Sequence, residues 1–394
     1  MNAMSYFLLP NIINPISPDN LQLTKNTENS VISKSLANYL MSMKKQIEIY
    51  PSQWEQYKKY TNTYEYVHTN IPFYKMSVCN LKPISRAFYK LIEIFNIFNT
   101  SFGSEPISSF HLAEGPGGFI EALITYRENN NTINQKDVYY GMTLINDAEN
   151  NDNVPGWSKS EYFFKKYSNI KIITGKDKTG DLLNIDNLWY CYNNFKNSME
   201  FITGDGGFDY STSFNQQEQV SVKLIFAQIV YAIAMQKKHG TFILKVFDIF
   251  TQISVELLYI LSSLYEKCYI VKPHSSRCAN SEKYVYCENF KLDDTYDLIN
   301  KFSEMFTDFD KFNINKILNF KLQYLYINKI EEINAILGQQ QLENILSTLN
   351  MLDNHKPDKL ESIKKNNILK CIQYCIRNNL PYHTNINQFN LFIN

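Results

Sequence analysis

The chain has 394 residues, and its 39 Lys and Arg balance its 39 Asp and Glu. This length suits one large domain with extensions, or two domains. The balanced charge excludes a global field that attracts nucleic acid, so a polyanionic partner would have to meet a local patch. The seven cysteines are scattered and include no CxxC pair, which indicates reduced thiols in a cytosol-like compartment and no zinc or other metal site.

Residues 224–235 form the longest apolar stretch, which contains Gln228 and is too short to span a bilayer. The first residues show no basic region followed by an apolar run and a cleavage site. We therefore expect a soluble protein without a membrane partner. The many Asn, Ile and Lys residues fit an AT-rich genome such as that of a large DNA virus. We expect a cytoplasmic location, in the host cytoplasm or a virion if the protein is viral, with the nucleus as an alternative.

The region before residue 80 has a mixed pattern. Its first thirty residues are rich in Asn, Pro and Ser, and residues 38–60 have helical character. We predict a partly helical N-terminal extension at 1–79. A helix is then predicted at 83–98, because Pro83 suits a first helical turn and apolar residues follow at helical spacing.

Residues 110–121, FHLAEGPGGFIE, join a predicted buried strand at 107–112 to a helix that begins near Phe119. Pro116 presets φ, and Gly117 and Gly118 allow backbone shapes that a Cβ would block. A strand, a glycine turn and a helix N-terminus form the nucleotide-binding corner of a doubly wound sheet. The motif is weak on its own, because any tight strand-to-helix turn could carry it.

Strand and helix patterns alternate after this turn. Further strands are predicted at 138–142, 170–174, 199–203, 241–247, 268–272 and 283–287. Long helices are predicted at 215–238, with Gly240 as its C′ glycine, and at 253–265. The alternation predicts an α/β fold with a mainly parallel sheet, helices on both faces and an antiparallel last strand. A helical C-terminal region is predicted at 293–394, with helices at 298–306, 313–327, 329–349 and 360–378.

Three ionisable residues are predicted to meet at the edge of the sheet where the parallel strands have their carboxyl ends, which is where ligands gather in open α/β sheets. Asp205 follows the fourth strand, Lys245 lies inside the apolar run TFILKVF, and Glu282 precedes the last strand. A charge inside an apolar strand needs a reason. Lys245 could form a core ion pair with Asp205, Asp205 could be a turn former beside glycines, and Glu282 could be a surface carboxylate.

Five blocks of sequence occur in order: SRAFYKLIEI at 85–94, HLAEGPGGFI at 111–120, GDGGFD at 204–209, FILKVFD at 242–248 and KPHSSRCANSEKYVYC at 272–287. Together they resemble the FtsJ-like ribose 2′-O-methyltransferases, in particular the Adrift-type enzymes that methylate the mRNA cap. The resemblance implies a Rossmann-like methyltransferase domain at 80–292, S-adenosylmethionine as cofactor and the capped 5′ end of mRNA as partner. It also implies a catalytic tetrad formed by Lys90, Asp205, Lys245 and Glu282.

The resemblance further implies a donor site, formed by Glu114, Gly115, Pro116, Gly117, Gly118, Phe119, Thr143, Asp181 and Asp205. FtsJ itself has an Asp where this chain has His111, but Glu114 matches the HLxExPG form of one Adrift branch. Asp181, in GKDKTGD, would lie near the adenine, or it is a loop carboxylate. The implied substrate contacts are Asn215, which could instead cap a helix, and Arg277 and Asn280, which would hold the RNA backbone.

Methyl transfer to a ribose requires its 2′-hydroxyl to lose a proton. A lysine with the usual pKa of about 10.4 is protonated near neutral pH and cannot accept that proton. Burial and Lys90 favour the neutral amine of Lys245, whereas Asp205 and Glu282 oppose it. As a hypothesis, we predict that the neutral form prevails and that Lys245 is the general base.

Other functions stay open at this point. The same chemistry could act on ribosomal or transfer RNA, and a catalytically silent RNA-binding or scaffold subunit could share the fold. The complete tetrad argues against a silent copy. A nicotinamide oxidoreductase lacks support, because the turn reads GPGG rather than GxGxxG. The C-terminal helices could dock a capping or transcription partner, and the sequence does not distinguish the first from the second transcribed nucleotide.

Overall fold

The computed structural model describes residues 6–25, 31–145, 156–207, 216–309, 314–354 and 356–385. Its strands are β1 (Tyr6–Leu8), β2 (Leu21–Lys25), β3 (Ser108–Leu112), β4 (Val138–Met142), β5 (Ile170–Ile172), β6 (Met199–Gly204), β7 (Gln236–Val246), β8 (Tyr265–Val271), β9 (Lys283–Phe290) and β10 (Ile314–Leu318). Its helices are α1 (Lys34–Ile47), α2 (Pro51–Thr61), α3 (Ala87–Phe98), α4 (Gly118–Asn129), α5 (Glu161–Lys166), α6 (Ile185–Phe195), α7 (Gln217–Met235), α8 (Gln252–Leu264), α9 (Tyr296–Phe309), α10 (Tyr324–Asp353) and α11 (Pro357–Arg377).

Eight strands form one mixed sheet in the order β1-β8-β9-β7-β6-β3-β4-β5. The neighbours from β7 to β5 in this order are parallel, whereas β9 runs antiparallel to both β7 and β8. Parallel neighbours need crossover connections, which α4, α6 and α7 help to provide. The structure therefore confirms the predicted α/β fold with an antiparallel last strand.

Helices cover both faces of the sheet and enclose two hydrophobic cores. One core packs α3 and α4 against one face, and the other packs α6, α7 and α8 against the opposite face. Successive side chains of a strand point to opposite faces, and in β7 Phe242 and Leu244 belong to the α7 core whereas Ile243 belongs to the α3 core. Lys245 follows Ile243 by two residues, so it faces the side of the sheet that α3 covers.

Helix α7 is long and apolar enough to cross a membrane by length and composition alone. Most of the helix is buried inside the protein, where it packs against α6, α8 and α9. A helix that is apolar on all sides is expected in the interior of a large protein. Its composition is therefore explained by the core that it fills.

The predicted end of this helix at Lys238 is wrong. The helix ends at Met235, and β7 begins at Gln236, whose Nε2 donates to the main-chain oxygen of Met199 at 2.9 Å. Gly240 therefore lies within β7 and does not close a helix. A Cβ at Gly240 would lie 2.9 Å from the main-chain oxygen of Glu200, so this glycine permits a close approach of two strands.

The regions on either side of residues 80–292 pack around the sheet. β1 adds an antiparallel edge strand beside β8, and β2 pairs with β10 in a second, small sheet. α1 and α2 pack on α10, and α11 contacts α2. The three predicted segments of the chain thus contact one another, and their boundaries stay a prediction.

The helix predicted at 313–327 is wrong for residues 314–318, which form β10. The main-chain N–H groups of Ile317 and Leu318 donate to Glu256 Oε2 of α8 at 2.6 and 3.0 Å. The partner strand β2 lies near the other end of the chain. Because these partners are remote in sequence, no local pattern predicts the strand.

Candidate active site

Asp205 and Lys245 meet because β6 and β7 are parallel neighbours that end at the same edge of the sheet. Gly204 of β6 pairs with Leu244 of β7, which places the next residue of each chain segment side by side. Lys245 Nζ lies 3.3 Å from Asp205 Oδ1 and donates a hydrogen bond to Asp205 O at 2.6 Å. The lysine inside the apolar strand is therefore paired with the carboxylate that follows the neighbouring strand.

Lys90 and Glu282 form a second ion pair at this edge. Glu282 directly precedes β9, and β9 runs antiparallel to β7, so the start of β9 lies beside the end of β7. Lys90 extends from α3, with Nζ 2.8 Å from Glu282 Oε1 and 2.9 Å from Oε2. The side chain of Lys90 is only 9% exposed, which no reading of the helix pattern alone would predict.

Tyr284 connects the two ion pairs. It pairs with Lys245 across the β7–β9 ladder, and its hydroxyl donates to Asp205 Oδ1 at 2.9 Å. Lys90 Nζ lies 5.9 Å from the centroid of its buried ring. Tyr284 was not predicted as a site residue, although its position two residues after Glu282 could have indicated that it lies near the site.

Burial and neighbouring charges set the protonation of the site. Burial raises the pKa of Glu282, but Lys90, Lys245 and Lys272 outweigh burial and hold that pKa well below its usual value. Burial lowers the pKa of Lys90, and the carboxylates of Glu282 and Asp205 oppose this decrease. Glu282 is therefore ionised at neutral pH, beside an amine whose charged form is penalised by burial.

The loop before β9, which ends at Glu282, is held at both ends. Lys272 Nζ donates to Asn280 O, Asn280 Oδ1 and Glu282 O at 2.8, 2.7 and 2.6 Å. At the start of the loop, Glu93 Oε1 accepts from His274 N at 2.6 Å and contacts His274 Nδ1 at 2.8 Å. Such contacts hold a functional side chain in a defined position.

The four residues of the two ion pairs line one cavity of about 590 Å³ at the carboxyl edge of the sheet. Pockets for small ligands have volumes of about 300–1,000 Å³. Five of the residues predicted to bind donor or substrate also line this cavity: Gly115, Pro116, Thr143, Asp181 and Asn280. The structure thus brings the predicted tetrad and much of the predicted donor site together. Their catalytic and binding roles stay predictions.

The glycine turn forms the wall at one end of the cavity. Gly117 has φ +111° directly before α4, a conformation that residues with a Cβ rarely adopt. A Cβ at Gly118 would lie 2.0 Å from Ser85 Oγ, so the turn packs closely on the segment before α3. Gly115 lines the cavity, whereas Gly117, Gly118 and the buried Phe119 are not among the lining residues.

Glu114 points at α4. Its Oε1 accepts hydrogen bonds from the main-chain N–H groups of Phe119 and Ile120 at 2.6 and 3.1 Å, and burial raises its pKa well above the usual value. These contacts shape the turn, and donor binding by Glu114 stays a prediction.

His111, at the position where FtsJ has an acid, lies in the core. Its ring nitrogens contact Ser109 Oγ at 2.9 Å and Thr203 Oγ1 at 2.8 Å. Burial lowers the pKa of His111 to about 3. The residue is therefore a neutral, hydrogen-bonded member of the sheet interior.

The predicted substrate contacts have different surroundings. Arg277 Nε and Nη2 donate to the two carboxylate oxygens of Glu65 at 2.9 and 2.6 Å, so its guanidinium is engaged outside the cavity. Asn280 lines the cavity while its Oδ1 accepts from Lys272. The prediction for Asn215 lies outside the described residues.

A family model described as FtsJ-like methyltransferase matches residues 83–290, which is more than half of the 394-residue chain. The match begins before α3 and ends with β9, so it contains both ion pairs of the cavity. The chain belongs to the FtsJ-like methyltransferase family.

Curated relatives of this FtsJ-like chain include three cap-specific mRNA (nucleoside-2′-O-)-methyltransferases. Methyltransferase 2 of Drosophila melanogaster is 32% identical over 203 residues, which cover 48% of this chain and 27% of the fly protein. Methyltransferase 2 of Pongo abelii is 26% identical over 343 residues, which cover 82% of this chain and 42% of the relative. Methyltransferase 1 of Homo sapiens is 34% identical over 195 residues, which cover 47% of this chain and 22% of the human protein. The chain thus spans less than half the length of each of these relatives.

Several residues that line the cavity were not predicted from the sequence as site residues. They include Ser85, Arg86, Leu144, Gly180, Gln217 and Phe247. Ser85, Arg86 and Phe247 lie in blocks that carry the resemblance, so their position there was a usable signal. Leu144 and Gln217 carry no such signal, because they reach the cavity only through tertiary packing.

Proposed function

We propose that this protein transfers a methyl group from S-adenosylmethionine to the ribose 2′-hydroxyl of the first or second transcribed nucleotide of capped mRNA. The observation that carries the proposal is the pairing of Lys245 with Asp205 and of Lys90 with Glu282 in one cavity beside a glycine turn. Membership of the FtsJ-like methyltransferase family supports methyl transfer. The names of the curated relatives support capped mRNA as the acceptor.

The donor end of the cavity fits S-adenosylmethionine. Gly115 and Pro116 line the cavity beside the N-terminus of α4, where the positive end of the helix dipole favours a carboxylate group. Leu144 and Leu182 offer apolar surface for an adenine, and Asp181 offers a hydrogen-bond acceptor. Gly207 keeps space open beside the amine, since a Cβ there would lie 3.3 Å from Lys245 Nζ.

The neutral amine of Lys245 is placed to accept the proton of the ribose hydroxyl. The O–H bond breaks as the proton passes to Nζ, and the oxygen forms the new O–C bond while the C–S bond of the donor breaks. S-adenosylmethionine, when bound, supplies an electrophilic methyl group and a neutral thioether leaving group. Asp205 then stabilises the ammonium of Lys245, and Lys90 with Glu282 orients the ribose.

The test incubates the purified protein with labelled S-adenosylmethionine and short RNAs of one sequence, with a methylated cap or with a 5′-triphosphate. We expect label on the 2′-oxygen of the first or second nucleotide of the capped RNA alone. Equal labelling of both RNAs would contradict cap specificity and favour a ribosomal or transfer RNA type of activity. Donor binding without transfer to any RNA would contradict the enzyme itself.

A further inference from the structure

Arg86 lies in the cavity with an incomplete set of partners. It directly precedes α3 and lines the cavity together with Lys90 and Glu282. Its Nε is buried and has no hydrogen-bond partner among the described residues, and its Nη2 lies 3.5 Å from Ser275 O, beyond the usual range for a hydrogen bond. A buried donor without a partner is destabilising, so its presence in the site calls for an explanation.

Arg86 differs from the neighbouring cations because, among the described residues, no carboxylate contacts it directly. Neighbouring cations contact carboxylates as three pairs: Lys90 with Glu282, Lys245 with Asp205, and Arg277 with Glu65. Within the part of the chain that the structure describes, no carboxylate oxygen lies within 4 Å of the Arg86 guanidinium. Lys272 also contacts oxygens of uncharged groups, but it is not among the residues that line the cavity. Arg86 therefore lines the cavity without direct contact to any carboxylate that the structure describes, an arrangement that suits a bound anion.

The position of Arg86 relative to Lys90 indicates which anion. The two residues are four positions apart, and Arg86 has helical φ and ψ of −66° and −14°, so both lie on one face of the helix about 5–6 Å apart at Cβ. The N-terminus of α3 adds the positive end of the helix dipole. In RNA, the 3′-phosphate is attached to the carbon next to the one that bears the 2′-hydroxyl.

We propose that Arg86 binds the phosphodiester on the 3′ side of the nucleotide that is methylated. Its guanidinium offers two parallel N–H donors to two phosphate oxygens. The inference rests on the proposed function, since it takes RNA as the acceptor, and it deepens that function by naming the phosphate contact. Arg277, the residue that the sequence predicted to hold the RNA backbone, instead has its guanidinium paired with Glu65.

The experiment measures binding of labelled short RNA to the full-length protein without donor, at several salt concentrations. One RNA carries a cap and the other, of the same sequence, a 5′-hydroxyl. Arg86→Gln should weaken binding of both RNAs by at least about tenfold and reduce the number of counterions released by about one. Arg86→Lys keeps the charge but lacks the planar guanidinium, so its RNA affinity should lie between those of wild type and Arg86→Gln. Lys301→Gln, on the surface of α9, is the matched control and should bind as wild type does.

Unchanged RNA affinity of Arg86→Gln would overturn the inference. A loss of affinity for the capped RNA alone would also overturn it, because that result would assign Arg86 to the cap triphosphate. Donor affinity and the thermal midpoint are measured for each variant. If Arg86→Gln does not fold, Arg86→Lys decides, and wild-type affinity of that variant overturns the inference. Wild-type protein that binds but does not methylate RNA contradicts the proposed function, whereas active wild type with an unaffected Arg86→Gln contradicts only the role of Arg86.

Discussion

Lys272 holds Glu282 by its main chain, with Nζ donating to Glu282 O at 2.6 Å. The carboxylate of the same residue contacts Lys90 Nζ at 2.8 Å. One lysine therefore positions the backbone of Glu282 and the other positions its side chain. Since Lys272 is not among the residues that line the cavity, its part in the chemistry is to position Glu282.

Replacement of Lys272 by Met should reduce kcat by about ten- to a hundredfold and leave the donor Kd unchanged. The variant loses three hydrogen bonds to Asn280 and Glu282, and hydrogen bonds of a charged group contribute about 1.5–3 kcal/mol. Steady-state kinetics and donor binding check this, with Lys267→Met on the exposed side of β8 as control. A lower thermal midpoint with an unchanged kcat would show that Lys272 only stabilises the fold.

Replacement of Lys245 by Met should reduce single-turnover methyl transfer by at least about 10²-fold, the lower limit for loss of a general base. Donor binding should persist, because Lys245 is not among the residues predicted to bind the donor. Lys237→Met is the matched control, since Lys237 lies on the same strand but pairs with Glu200 at the protein surface. Full activity of Lys245→Met would remove the proposed base.

Replacement of Tyr284 by Phe should reduce kcat about tenfold by removing the hydroxyl that donates to Asp205 Oδ1 at 2.9 Å. Asp205 would then be less firmly oriented toward Lys245. Tyr286→Phe is the control, because Tyr286 lies two residues further along β9 and its hydroxyl contacts Thr100 instead. Equal losses in the two variants would indicate a general effect on β9 and contradict a specific role for Tyr284.

Replacement of Gly180 by Ala should raise the donor Kd at least tenfold. Gly180 lines the cavity with φ +70°, and a Cβ there would lie 1.9 Å from the main-chain oxygen of Thr143, another lining residue. Gly103→Ala distinguishes the steric clash from the backbone strain of a positive φ, because Gly103 has φ +59° but open space around the added Cβ. Calorimetric titration with S-adenosylmethionine should show wild-type affinity for Gly103→Ala, and equal affinity of the two variants would contradict a steric role for Gly180.

Replacement of Glu65 by Gln should lower the free energy of unfolding at pH 7 by roughly 3 kcal/mol. Burial raises the pKa of Glu65, but the hydrogen bonds and charge of Arg277 outweigh burial and lower it to about 2. The folded pKa is thus below the unfolded value, so this stability is present above about pH 4.3 and is lost as pH falls toward 2.

Urea unfolding of wild type and Glu65→Gln between pH 7 and pH 3 checks this dependence. The difference between the two proteins should shrink as the pH falls below about 4. Glu304→Gln, in an exposed pair with Lys301, should show no comparable loss. A difference that stays constant down to pH 3 would contradict the assignment to the Glu65 carboxylate.

The parts of the fold that the sequence predicted depend on local patterns. The apolar run of β7 and the glycine turn before α4 could be predicted, because they reflect the burial of a central strand and backbone freedom over a few residues. β10 was predicted as helix, because its strand state depends on pairing with β2 and on Glu256. The helix end at 238 was wrong because pairing with β6 extends β7 back to Gln236.

The sequence by itself determined the α/β order, the glycine turn and the placement of Asp205, Lys245 and Glu282 at strand ends, since strand direction and residue order fix these. Only the tertiary structure decided that α3 turns Lys90 toward Glu282, 192 residues away along the chain, and that Arg86 enters the cavity without a carboxylate partner. Which side chains face each other depends on the register of neighbouring strands and on the packing of a helix across them. Those relationships join distant segments, and no short stretch of sequence records them.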